Sequence, residues 1–264
     1  MDRFWQVLFI VDGLSPSGRL VVKRLSEMGH RVYYGACPSV NAETVNAPLA
    51  TALPLKLGDD NSVAHAAPTL LKAERRIDTV VNNKRRPLFG ALEMVSPAKV
   101  EDYLNETMVG MVRLQNSFLP AMRAQNSGRF VTIAPRGRLS STSFRGWQRA
   151  VHVAERALTE TLNYELGGTN IEVSLIEVPL LDRGKEWPPN DLDRDLHAQV
   201  MPSSWNSFLL HIQALFQETP SVEAQAEQIL DALIPTDPPK KSAKNPFFTE
   251  LNKASSVLLR PWRK

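Results

Sequence analysis

A doubly wound parallel α/β sheet forming a single domain is the architecture this sequence predicts. Three observations lead there. Short apolar runs alternate with amphipathic stretches as far as Glu177. The chain opens on a strand–turn–helix–strand unit of about 30 residues, with a glycine-bearing turn ahead of its helix. The chain has 264 residues, 43% hydrophobic and 22% charged, the composition of one large globular domain.

Residues 4–11 form an apolar run, the mark of a parallel strand covered on both faces. Residues 12–18 form the turn, 19–28 a helix closed by Gly29, and 30–35 the second strand. A third strand is expected at 53–57, a helix at 61–75 opening at Asp60 or Asn61, and a fourth strand at 77–81. A long amphipathic helix follows at 97–125, ended by Ser127-Gly128, and then a strand at 129–134. Residues 146–166 form a second long helix, closed by Gly167-Gly168, and 171–177 the sixth strand. Residues 180–202 are polar and proline-bearing, 205–217 and 222–233 are helical, and 235–244 have linker composition. Residues 246–262 carry Phe247, Phe248, Leu251, Leu258 and Trp262 among basic residues. They form an amphipathic terminal segment that covers its own domain, or touches a membrane surface or partner. The expected division is residues 1–234 for the domain and 235–264 for the linker and terminal segment.

Charge and cysteine content narrow the function. The 31 Lys and Arg against 28 Asp and Glu give a net charge of +3, and the longest cationic run is Lys84-Arg85-Arg86. A specific nucleic-acid partner is therefore not expected. Cys37 is the only cysteine, which excludes an internal disulfide and a cysteine metal cluster. Asp59-Asp60 reads as a solvated acidic pair near a helix start, so no metal is expected. No apolar run approaches the roughly 18 residues of a membrane span, and a cytoplasmic location is expected.

Several stretches carry a resemblance. They are Asp78-Thr-Val-Val-Asn-Asn83, Phe89-Gly-Ala-Leu-Glu93, residues 118–129, residues 157–166 and Val173-Ser-Leu-Ile-Glu177. In order and spacing, residues 7–182 resemble the short-chain dehydrogenase/reductase family, in particular its 17β-hydroxysteroid-dehydrogenase-like group. The resemblance implies a Rossmann-like sheet and hydride transfer between NAD(P) and a carbonyl or alcohol. It also implies four catalytic groups: a Tyr, a Lys four residues later, a Ser and an Asn. In register these positions fall at Gln148, His152, Pro135 and Thr107, so all four are replaced. Tyr33, Tyr34, Tyr103 and Tyr164 are followed four residues on by Cys37, Pro38, Thr107 and Gly168, so no Tyr-x-x-x-Lys exists in the chain. An amide does not titrate near neutrality, and proline has no hydroxyl.

The cofactor positions are altered too. Gly13 and Gly18 stand in the family's glycine turn, with Ser15 and Ser17 between them, but Pro16 removes an N–H where a phosphate would approach. Gly13, Ser15, Ser17, Gly18 and Asn82 are the cofactor-contact candidates, and tight-turn duty is the other reading of the glycines. Lys56 stands where the resemblance implies an adenine-contacting aspartate. Lys84 and Arg85 replace its Ala-Gly, and Arg183 its carboxamide-contacting threonine. Together with Arg136, the cations Lys84, Arg85 and Arg183 are candidates for an anion cleft at the strand ends, or else scattered surface charges. His152 reads as a core helix residue or a lone general base. Residues 140–143 read as a polar loop or a replacement hydroxyl.

The expected function is a pseudoenzyme: a binding or scaffolding protein on this fold, with no cofactor expected. The family's long helices imply a homo- or hetero-oligomer, including one with an active relative. An atypical NAD(P)-dependent oxidoreductase is the first alternative. A sensor of a phosphate- or carboxylate-bearing metabolite is the second.

Overall fold

In the computed structural model, β1 is Val7–Ile10, and all four residues are buried. The structure describes residues 5–37, 44–83, 88–136, 144–179, 200–218 and 220–234; at 135, 136, 179 and 211–218 it describes the backbone alone.

Helix α1, Pro16–Glu27, begins three residues earlier than the sequence reading. Ser15 is its N-cap, the Ser15 Oγ accepting the Gly18 N–H at 3.2 Å. Pro16 takes the first helical position, where a missing N–H leaves no bond unmade. The turn is therefore shorter than the glycine spacing implied. Gly29, at φ +89°, closes the helix in the left-handed region.

Strand β2 is Arg31–Ala36 and β3 is Ala50–Pro54. The third strand thus lies ahead of the expected 53–57. Leu53, Leu55 and Leu57 are all buried, but the pairing with β2 ends at Pro54. Asp59 caps α2, Asp60–Glu74, by accepting the Asn61 and Ser62 N–H groups, and β4 is Thr79–Asn82. The expected helix at 97–125 is interrupted. It comprises α3, Pro97–Leu104, capped by Ser96, then a π-turn, Asn105–Val109, then α4, Gly110–Ala124. The remaining elements are β5, Gly128–Arg136, α5, Gly146–Glu165, β6, Ile171–Pro179, α6, Pro202–Glu218, and α7, Val222–Leu233. Packing divides the chain into Met1–Leu230 and Asp231–Lys264, and of the second unit only residues 231–234 are described. The linker and terminal segment expected at 235–264 lie outside the described residues.

Six strands form one parallel sheet in the order β3-β2-β1-β4-β5-β6. The chain builds outward from β1 to β3, then returns to β1's other side to place β4. That reversal is a topological switch point, and the carboxyl ends of β1 and β4 flank the crevice where such sheets bind ligands. Beneath it, Phe9 and Phe118 meet at a centroid distance of 5.2 Å within a core that includes Leu70, Val80, Leu114 and Phe130.

A second cluster joins the segments before and after the site. Phe89 and Ala91 follow β4, Phe144 precedes α5, and Trp205 and Phe208 come from α6. Phe144 meets Trp205 edge-on at 5.4 Å and Phe208 at 5.1 Å. Phe144 also sits at φ +66°, a left-handed conformation that is strained for a bulky side chain. The Gly90 N–H, donating to the Phe144 carbonyl at 2.9 Å, holds it there.

Candidate functional site

The turn after β1 is internally satisfied. Ser15 Oγ donates to the Asp12 carbonyl at 2.9 Å and accepts from the Gly18 N–H. A Cβ on Gly18 would collide with the Asp12 carbonyl oxygen, and one on Gly13 would stand 2.5 Å from Tyr34 Cβ. Both glycines are thus required by close packing. At the helix start Pro16 has no N–H and the Gly18 N–H is already accepted, which leaves this helix start with fewer donors for a pyrophosphate than the bare turn offers.

Asn82 ends β4 and Asn83 follows it, both 2% exposed, and the Oδ1 of Asn83 has no hydrogen-bond partner among the described residues. Thr107 lies in the π-turn and is buried; its hydroxyl donates to the Tyr103 carbonyl at 2.6 Å. That bond serves the widened helix turn, so the Thr107 proton is committed locally. Pro135 lies in β5 opposite Val178.

Helix α5 packs on β5, β6 and the π-turn, with Gln148, Val151, His152, Glu155 and Thr159 as its buried stripe. Gln148 is 3% exposed, and its Oε1 accepts from Arg145 Nε at 3.3 Å. His152 is 4% exposed and does have an acidic partner: its Nε2 lies 3.5 Å from Glu177 Oε1 on β6. The same oxygen accepts from Arg156 Nη2 at 2.8 Å. Burial pulls the His152 pKa down, opposed by the Glu177 charge. The ring's Nδ1 is buried without a partner. Glu155, 6% exposed, has its carboxyl pushed up to about 7 by burial.

His152, read from the sequence as a core helix residue or a lone general base, thus has an acidic neighbour in Glu177. Glu177, Arg156, Arg145 and Glu155 were not among the sequence candidates. Lys84, Arg85 and Arg183 lie outside the described residues, as do residues 140–143, and of Arg136 only the backbone is described. Asp59 caps α2 and Asp60 pairs with Arg113, so both acids are used structurally. No group of metal-binding side chains occurs among the described residues. Among them, too, no helix is long and apolar enough to cross a membrane.

Residues 6–185 match the family described as short chain dehydrogenase. The chain belongs to the short-chain dehydrogenase family. Its relatives in that family include the 3-ketodihydrosphingosine reductase of Bacteroides thetaiotaomicron, 27% identical over 65% of this chain and 62% of that protein. Human 17-beta-hydroxysteroid dehydrogenase type 1 is 31% identical over 75% of this chain and 58% of that protein. The chain thus spans less than two thirds of the length of these curated relatives. A short-chain dehydrogenase from Streptomyces avermitilis superposes with a TM-score of 0.70 at 22% identity, covering 99% of this chain and 97% of that one. A metagenomic short-chain oxidoreductase solved in complex with NADP gives 0.61 at 22% identity over 67% of this chain and 83% of that one. Short-chain dehydrogenases are thus its fold relatives and, for the curated proteins, oxidoreductases by name.

Proposed function

We propose that this chain is a binding member of the short-chain dehydrogenase family that lacks the family's hydride transfer and acts through a partner. One observation carries the reading. Gln148, which the register of the resemblance sets at the acid–base position, is buried and held by Arg145. A side-chain amide neither gives nor takes a proton at useful pKa, and the neighbouring catalytic positions are Pro135 and Thr107, the latter's hydroxyl bonded within its own helix. The self-capped turn after β1 supports the same reading, because it reduces what the helix start offers a dinucleotide.

Exposed apolar side chains on the long helices support association. Val109 at 44% and Val112 at 40% lie at the π-turn and on α4; Val153 at 54% and Leu158 at 39% lie on α5. In this reading the same surface joins the chain to a second copy or to an active relative. The deciding experiment is calorimetric titration of the folded chain with NADH and NADPH, paired with a turnover assay on ketone and alcohol substrates. Absence of turnover is expected. NAD(P)-dependent turnover that disappears in Gln148→Ala or His152→Ala would overturn the proposal.

A second reading is an atypical NAD(P)-dependent oxidoreductase. The reductase and dehydrogenase names of its relatives favour it, as does the acidic partner of His152. Micromolar NADH or NADPH binding in the same titration would move this reading ahead.

A further inference from the structure

Arg145 is buried without a counter-ion among the described residues. It is 9% exposed, and its hydrogen bond among those residues runs from Nε to Gln148 Oε1 at 3.3 Å. Burial alone acts on the guanidinium, pulling its pKa down, with no carboxylate to oppose it. An arginine taken out of water ordinarily brings an acid with it, because an uncompensated buried charge is costly. The enclosed, unpartnered side-chain atoms of α5 are Trp147 Nε1, His152 Nδ1 and Thr159 Oγ1. The two Nη groups of Arg145 are not among them, so this end of the guanidinium stays open to solvent. Gly146, the next residue, is itself partly exposed.

The position compounds the charge. Arg145 is the N-cap of α5, a helix of 20 residues, where Ser, Thr, Asp or Asn would accept a backbone N–H. Here no side chain caps the helix, and its first turn holds no acid. The helical bonding starts with the Arg149 N–H donating to the Arg145 carbonyl at 3.0 Å, which leaves the Gly146, Trp147 and Gln148 N–H groups without a helical acceptor. The helix dipole is positive at this end, so the guanidinium adds to it. Arg149, one turn on and exposed, brings a second cation to the same face. Donors and positive charge are both in excess here, and an anion relieves both at once.

The surroundings select the anion. With Nε engaged by Gln148, the free part of the guanidinium is its Nη1–Nη2 end, whose parallel N–H groups match the two oxygens of a carboxylate. The flank is apolar. Leu92, 61% exposed, lies so close that a Cβ on Gly146 would stand 2.4 Å from Leu92 Cδ2. Phe144, of the Phe89, Trp205 and Phe208 cluster, leads directly into Arg145.

We propose that the start of α5 is a binding site for an apolar carboxylic acid, its carboxylate on the Arg145 Nη groups and its hydrocarbon body against Leu92. Occupancy is measured without turnover, so it stands or falls apart from the loss of hydride transfer.

The test is calorimetric titration of the full chain at neutral pH with octanoate, 1-octanol, acetate and inorganic phosphate. Saturable octanoate binding is expected, at least tenfold tighter than octanol, which lacks the charge, and than acetate, which lacks the chain. Phosphate should bind more weakly than octanoate. Arg145→Met should weaken octanoate binding at least tenfold, and Arg145→Lys, which keeps the charge without the paired N–H groups, should restore only part of it. Leu92→Ser, at an exposed position, should weaken octanoate and leave acetate unchanged. Lack of saturable octanoate binding to the wild-type chain overturns the proposal, as does octanol binding as tightly as octanoate, or phosphate binding more tightly. Folded Arg145→Met that binds octanoate like wild type overturns it too. The wild-type titrations and Leu92→Ser decide it even if the Arg145 variants fail to fold.

Discussion

The Ser15 Oγ accepts the Gly18 N–H at 3.2 Å, so the side chain that starts α1 occupies a donor that an anion would otherwise meet. Ser15→Ala should lower unfolding stability by about 1 kcal/mol, the usual worth of an N-cap. It should also strengthen binding of inorganic pyrophosphate, because the Gly18 N–H becomes available. Urea unfolding and calorimetry measure the two effects, and unchanged pyrophosphate affinity would remove the cap from the account of the turn.

Glu155 sets a pH dependence of stability. Its carboxyl is raised from 4.5 to about 7 by burial, so the folded chain holds a proton that the unfolded chain releases earlier. This contribution is fully present below about pH 4.5 and is lost as pH rises through about 7, a difference on the order of 3 kcal/mol. His152 acts in the opposite direction. Its folded pKa is depressed, so its contribution is present above about pH 6.5 and lost as pH falls. Glu155→Gln should stabilise the chain at about pH 8 and change little at about pH 4.5. Denaturant titrations at both values check this, and equal effects at both would refute a buried neutral carboxyl.

Phe144 offers an inverted mutational order. Phe144→Ala should cost about 3 kcal/mol through loss of its contacts with Trp205 and Phe208, while keeping a side chain at φ +66°. Phe144→Gly loses the same contacts but relieves a backbone strain of about 1 kcal/mol. The glycine variant should therefore melt higher than the alanine variant, the reverse of the usual ranking at ordinary backbone angles.

The exposed apolar positions on α5 carry the association prediction. Val153→Glu leaves the fold within about 0.5 kcal/mol of wild type, since the side chain is exposed at 54%. It should shift sedimentation from dimer to monomer. A wild-type chain that sediments as a monomer at high concentration would count against self-association through this face.

The layered alternation was legible because period and burial agree: residues 4–11 read as a two-sided buried strand, and Val7–Ile10 form one. The start of α1 was misplaced because the glycine spacing outweighed Ser15-Pro16, although that pair is an N-cap followed by a first-turn proline. The third strand was misplaced because Leu53, Leu55 and Leu57 all enter the core, while the ladder with β2 runs earlier, through Ala50–Pro54. Nothing local marks the π-turn at Asn105–Val109, which depends on how the flanking helices pack. The assignment of Gln148, His152, Pro135 and Thr107 to the family's four catalytic positions rests on register alone. The His152–Glu177 pairing was not legible in the sequence, because it joins a helix to a strand and exists only once α5 lies on β6.

The strand order also constrains how the chain is made. Of the six strands, β1 is made before the others, yet it lies inside the sheet, with Phe9 beside Tyr33 on one flank and Val80 on the other. The second flank also binds β1's ends, through the Val7 N–H to Asp78 Oδ2 at 2.7 Å and the Val11 N–H to the Val81 carbonyl at 3.0 Å. Until Asn82 has left the ribosome, an apolar strand destined for the interior keeps one edge open. Such nonlocal pairing folds slowly and exposes nascent chains to aggregation. Truncated chains ending before β4 are therefore the species that chaperones would retain, and those extended past Asn82 are the first able to close the centre of the sheet.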